Sequence, residues 1–119
     1  MSYIQGFLLA VPKTNKTAYR ALAKKAAVIF KEYGAQRIVE NWGDNMPDGK
    51  ITDFKRAVKA EANEAVVFSW IEWPDKKTLD AAATRMETDE RWQAMGDMPF
   101  DGKRMIWGGF EPIFDSAGD

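Results

Sequence analysis

The chain has no cysteine and no histidine among its 119 residues. Without cysteine there is no disulfide and no thiol nucleophile. Without histidine the commonest general base and the commonest metal ligand are missing. Proximal-histidine haem ligation goes with it, and a zinc site would have to rest on carboxylates alone. No cofactor or metal is expected. Charge is also scarce in net terms, since 17 basic and 18 acidic residues leave −1. That balance gives no strong pull toward nucleic acid or an anionic membrane. No apolar run approaches the ~18 residues of a membrane span. The opening Met1–Pro12 stretch lacks a basic leader and stops at Pro12, so it reads as a strand rather than a signal peptide. Cytoplasmic residence follows as the default expectation.

What is present is enough for one core. Hydrophobic residues make up 45% of the chain and charged residues 29%, ordinary values for a single globular domain. Residues 1–115 are read as that domain and 116–119 as a disordered tail.

Four runs alternate with the period of a strand. Tyr3–Val11 is the first, Gln36–Trp42 the second, Ala65–Trp73 the third and Lys103–Phe114 the fourth. In the first and third runs both alternating sets are largely apolar, so both faces should be covered. Tyr19, Leu22, Ala23, Ala26, Ala27, Phe30 and Tyr33 recur at helical spacing, with Thr14 or Asn15 as N-cap and Gly34 as the stop. A second helix carries Leu79, Ala82, Ala83 and Met86 behind an Asp75 cap, and a short third one follows Thr88-Asp89. The connection from Gly43 to Glu64 reads as either an irregular edge strand or a helical turn opened by Thr52. The glycine pair 108–109 marks a bulge or a close backbone approach.

The order β-α-β-β-α-β predicts an α+β fold, a ferredoxin-like antiparallel sheet with its helices on one face. Two helices cover only one face of such a sheet. The apolar second face is therefore assigned to a second copy in a two-fold contact.

Five segments carry a family resemblance: Asn41–Asp44, Pro47–Lys50, Thr52–Phe54, Val67–Pro74 and Met98–Ile106. They resemble the YbaA-like family of small bacterial proteins of unknown function. The resemblance implies membership of the dimeric α/β-barrel superfamily, in which two such sheets pair around a cavity. It supplies no activity. A cysteine often stands at the position of Asn41 in that family, so a thiol-dependent role does not carry over to this chain.

Candidate chemistry gathers at strand ends. Glu72 lies between Trp70 and Trp73, where a carboxylate among indoles can work as acid or base; the structural alternative is a solvated end paired with an arginine. Asn41, Trp42 and Asp44 stand where a rigid strand gives way to a long loop. There Asn41 suits a carbonyl and Asp44 a proton, unless they only make the turn. Arg104 can clamp a carboxylate in two-pronged fashion, or close a structural salt bridge after the Asp101-Gly102 turn. Lys50, Lys55, Arg56 and Lys59 form a local basic group diluted by neighbouring acids, too weak a signal for a nucleic-acid site. Two functions remain. One is a homodimer, with or without a small-molecule ligand in a barrel cavity. The other is a cofactor-independent enzyme, monooxygenase- or isomerase-like, on a small aromatic or carbonyl substrate, with Trp42 and Trp70 shaping the pocket.

Overall fold

The computed structural model describes residues 2–118. Four strands form one sheet: β1 (Tyr3–Pro12), β2 (Arg37–Trp42), β3 (Glu64–Trp73) and β4 (Ile106–Phe110). Their order is β2-β3-β1-β4, and every neighbouring pair is antiparallel. Helices α1 (Lys16–Glu32), α3 (Lys76–Thr88) and the short α4 (Arg91–Ala94) accompany it, with a single turn, α2 (Phe54–Ala57), in the long connection.

Register sorts the strand residues onto two faces. Phe7, Leu9, Val67, Ser69, Ile71 and Trp73 share the inner face with Ile38, Glu40 and Trp42 of β2. Ile29, Tyr33 and Ala82 of the helical layer pack there against Ile71 and Trp73. Ile4, Leu8, Ala10, Val66, Phe68 and Trp70 share the outer face with Val39, Ile106 and Phe110.

Part of that outer face is covered from within the chain. The connection between β2 and β3 crosses it and buries Val58 against Ala10 and Val66, with Met46 and Ala60 alongside. The helical reading of this connection is the one observed, but its cap is Asp53 and not Thr52. Asp53 accepts from the Arg56 backbone N–H at 2.8 Å and also from Gly49 N–H. Of the two expected caps on α1, Asn15 does stand at the N-cap position, but its side chain makes no capping bond. A 3-10 turn over Lys13–Asn15 leads into the helix, and the Asn15 amide donates instead to the Pro99 carbonyl at 3.0 Å. Asp75 does cap α3, accepting from Thr78 N–H at 2.7 Å.

β4 is shorter than its apolar run predicts. Gly102–Arg104 coils into a 3-10 turn, and pairing with β1 runs only from Ile106 to Phe110. The glycine pair is no bulge, because register is continuous through it. Gly109 marks a close approach: a Cβ there would meet the Tyr3 ring and hydroxyl, and the ring would have to shift. Ser116–Gly118 form a turn on Asp115, and Asp119 lies outside the described residues.

Candidate functional site

The inner face is not filled evenly. α1 turns Ala23, Ala26 and Ala27 toward the sheet, and alanines there cannot fill the interlayer space to native density. A cleft of two lobes results. The first holds about 240 Å³ and is walled by Phe7, Phe30, Ile71, Trp92 and Phe100. The second, about 290 Å³, reaches Trp42 and Val67 under a lip of Lys16, Arg20 and Lys24. Tyr19, Ala23, Ile38 and Glu40 belong to both.

One polar group stands in this apolar cleft. Glu40 of β2 is the register partner of Ser69 on β3, so both side chains rise from the inner face together. Tyr19, on the first turn of α1, reaches down and donates its hydroxyl to Glu40 Oε1 at 2.7 Å. The Ser69 side chain stands beside both of them. Tyr19 and Ser69 are buried, while Glu40 is exposed to solvent and only partly enclosed by the cleft walls.

The surroundings set the protonation of this group. Burial raises the Glu40 carboxyl above the ordinary range, and the neighbouring Tyr19 and Ser69 hydroxyls offset part of that rise. Burial first, then the Glu40 charge, raises the Tyr19 phenol, which therefore stays protonated and keeps donating. Among the described residues no cluster could hold a metal ion.

The sign of the Glu40 shift gives a prediction. The unfolded chain has an ordinary glutamate pKa of about 4.3. A raised folded value favours folding below that pH, and the benefit is lost as pH rises through the folded value. The stability of the wild type minus that of Glu40→Gln should therefore fall between pH 4 and pH 8 in thermal melts. Asp75, Glu64 and Asp101 are shifted downward by their hydrogen bonds. They lose stability on acidification in both proteins, so the difference isolates Glu40. A difference that is flat or rises with pH contradicts this account of the group.

The scan against family models matches residues 2–102 to a protein family of unknown function, DUF1428. The chain belongs to the DUF1428 family. It is 60% identical over 116 residues to the uncharacterised protein YbaA of Escherichia coli K12, covering 97% of this chain and 99% of that one. The uncharacterised YbaA of Shigella flexneri matches to the same extent. Among solved structures, the de novo designed protein Foldit4 aligns over 92% of this chain and 94% of its own. Its TM-score is 0.43 at 12% identity, too remote to carry an argument. The family resemblance seen in the sequence is thus shown, and it brings no activity with it.

The strand-end residues do not converge. Glu72 lies on the outer face, where it accepts from the Trp70 indole N–H at 3.0 Å and faces Arg37 at 3.6 Å. Arg104 is spent on a salt bridge. It grips Glu64 through two bonds of 2.7 Å and also holds Asp101 and the Lys59 carbonyl. Asp44 is exposed in the loop after β2. Asn41 donates to the Phe68 carbonyl at 3.0 Å and borders the second lobe, as does Trp42. In the basic group, Lys55 pairs with Asp48 and Arg56 with Asp53.

Proposed function

We propose that this chain is a cytoplasmic homodimer that binds a small molecule in the inner cleft. The strand order β2-β3-β1-β4 with its main helices on one side is read here as ferredoxin-like. The outer face is read as the dimer contact. After the long connection has covered its share, Phe68 is still 47% exposed, Ile106 49% and Phe110 59%. Phe54 borders them, and together these make a contiguous apolar patch of the kind that marks an interface. Trp70 and Glu72 then belong to that contact, while Trp42 and Asn41 belong to the wall of the ligand site.

The observation that carries the ligand reading is the Tyr19–Glu40 hydrogen bond at the edge of an otherwise largely apolar first lobe. Pockets that bind small molecules combine apolar walls with a few convergent polar groups. A second reading, cofactor-independent proton transfer, is favoured by the raised Glu40 carboxyl, which places its proton affinity nearer neutrality. In that reading Glu40 handles the proton and Tyr19 holds it in position.

Native mass spectrometry of freshly purified protein tests both parts. The expected species is a dimer carrying added small-molecule mass. In Ala26→Phe, whose ring would fill the first lobe, the dimer should persist and the added mass should go. A monomer at micromolar concentration removes the assembly. Equal added mass in both proteins removes the cleft.

A further inference from the structure

We infer that the cleft selects a mono- or bicyclic aromatic bearing a hydroxyl or N–H donor, which it binds through Glu40. This rests on the reading of the cleft as the ligand site.

The Tyr19 hydroxyl has one proton, and it is committed to Glu40 Oε1. An ionised carboxylate offers about four acceptor sites and no donor. Tyr19 engages only part of that capacity. The polar end of the cleft is therefore an acceptor with room left for a ligand donor. A ligand carbonyl or ether placed there meets oxygen lone pairs, and a carboxylate meets a like charge. A phenol or an indole N–H supplies what is missing, as a charge-assisted bond.

The walls decide the rest. Phe7, Phe30, Trp92 and Phe100 bring four rings to the first lobe, and flat aromatic ligands suit the offset and edge-on contacts such rings make. Phe30 and Trp92 are already inclined to one another at 47° with centroids 5.0 Å apart. The lobe holds about 240 Å³. That is room for one or two fused rings. The hydroxyl then sits at the junction of the lobes, where Glu40 is.

Three probes separate donor, acceptor and neither on one scaffold: 2-naphthol, 2-methoxynaphthalene and naphthalene. Isothermal titration at pH 8, on the full chain, should show 2-naphthol binding at least tenfold tighter than either of the others. In Glu40→Gln, which offers an amide donor, the preference of 2-naphthol over 2-methoxynaphthalene should shrink at least tenfold. Equal affinity for all three in the wild type overturns the donor inference while leaving the cleft. Undiminished binding in Ala26→Phe overturns the cleft itself, and no binding by any probe at its solubility limit overturns the inference outright. The comparison of the probes on the wild type stands even where a variant fails to fold.

Discussion

Trp73→Ala should destabilise the fold by about 3–5 kcal/mol, the range for deleting a large buried aromatic. Trp73 is 0% exposed and is the largest fully buried side chain. It stands at the end of β3, edge-on to Phe30 of α1 with ring centroids 6.3 Å apart. It also packs in one cluster with Ala82 of α3, so it is where sheet and both long helices meet. Its indole N–H donates to Gln5 Oε1 at 3.2 Å, and the truncation leaves that amide oxygen without its donor. Against a total stability of ~5–15 kcal/mol, the loss corresponds to a fall in melting temperature of roughly 10–20 °C. Thermal and urea unfolding measure it. Trp73→Phe, which keeps a ring on Phe30, should lose less than half as much. A loss under about 1 kcal/mol for the alanine variant would mean that the helical layer is not held at this point.

Phe68→Asp combined with Phe110→Asp should convert the proposed dimer to monomers. The two residues stand on β3 and β4 on the outer face, flanking β1. A two-fold contact presents each of them twice, so four carboxylates would enter one apolar interface. Like charges set against one another in an interface cost several kcal/mol, and each 1.4 kcal/mol is tenfold in affinity. The dissociation constant should rise at least a thousandfold. Light scattering after size exclusion at micromolar concentration reads the change as a halved mass. Val28→Asp is the control. Val28 is as exposed as Phe110, at 60%, but lies on α1, and its substitution should leave the mass unchanged. A double variant that keeps the wild-type mass places any dimer contact elsewhere. A monomeric wild type removes the contact altogether.

The strands and long helices were legible because their patterns are local. Alternation in Tyr3–Val11 and Ala65–Trp73 announced two apolar faces, and both faces are apolar. The connection over residues 43–63 was not legible in the same way. Met46, Val58 and Ala60 share no period, and they find a common partner only once the chain has crossed the outer face. The partner of Asn15 is hidden for a similar reason: it stands at the N-cap of α1, but its amide is drawn to Pro99, 84 residues away.

The candidate site was harder still to read. Tyr19 looked like one more member of the apolar stripe on α1, and Glu40 like one more residue of a half-polar strand. What joins them is the pairing of Glu40 with Ser69, and register between strands cannot be read from either strand alone. One signal was available. A glutamate on the same strand face as Ile38 and Trp42 is a charge beside a partly covered apolar surface. The alanines on α1 were the other clue, since a helix stripe made of small residues leaves room beneath it.

The most direct measurement is where a bound aromatic sits. Nuclear Overhauser contacts between 2-naphthol and the methyl groups of the labelled protein resolve the two faces of the sheet. The account predicts contacts from the naphthol ring to the methyls of Ala23, Ala26 and Ile71, which line the cleft. Contacts to Leu8 and Ile106 on the outer face instead, with none to the three cleft methyls, would contradict it.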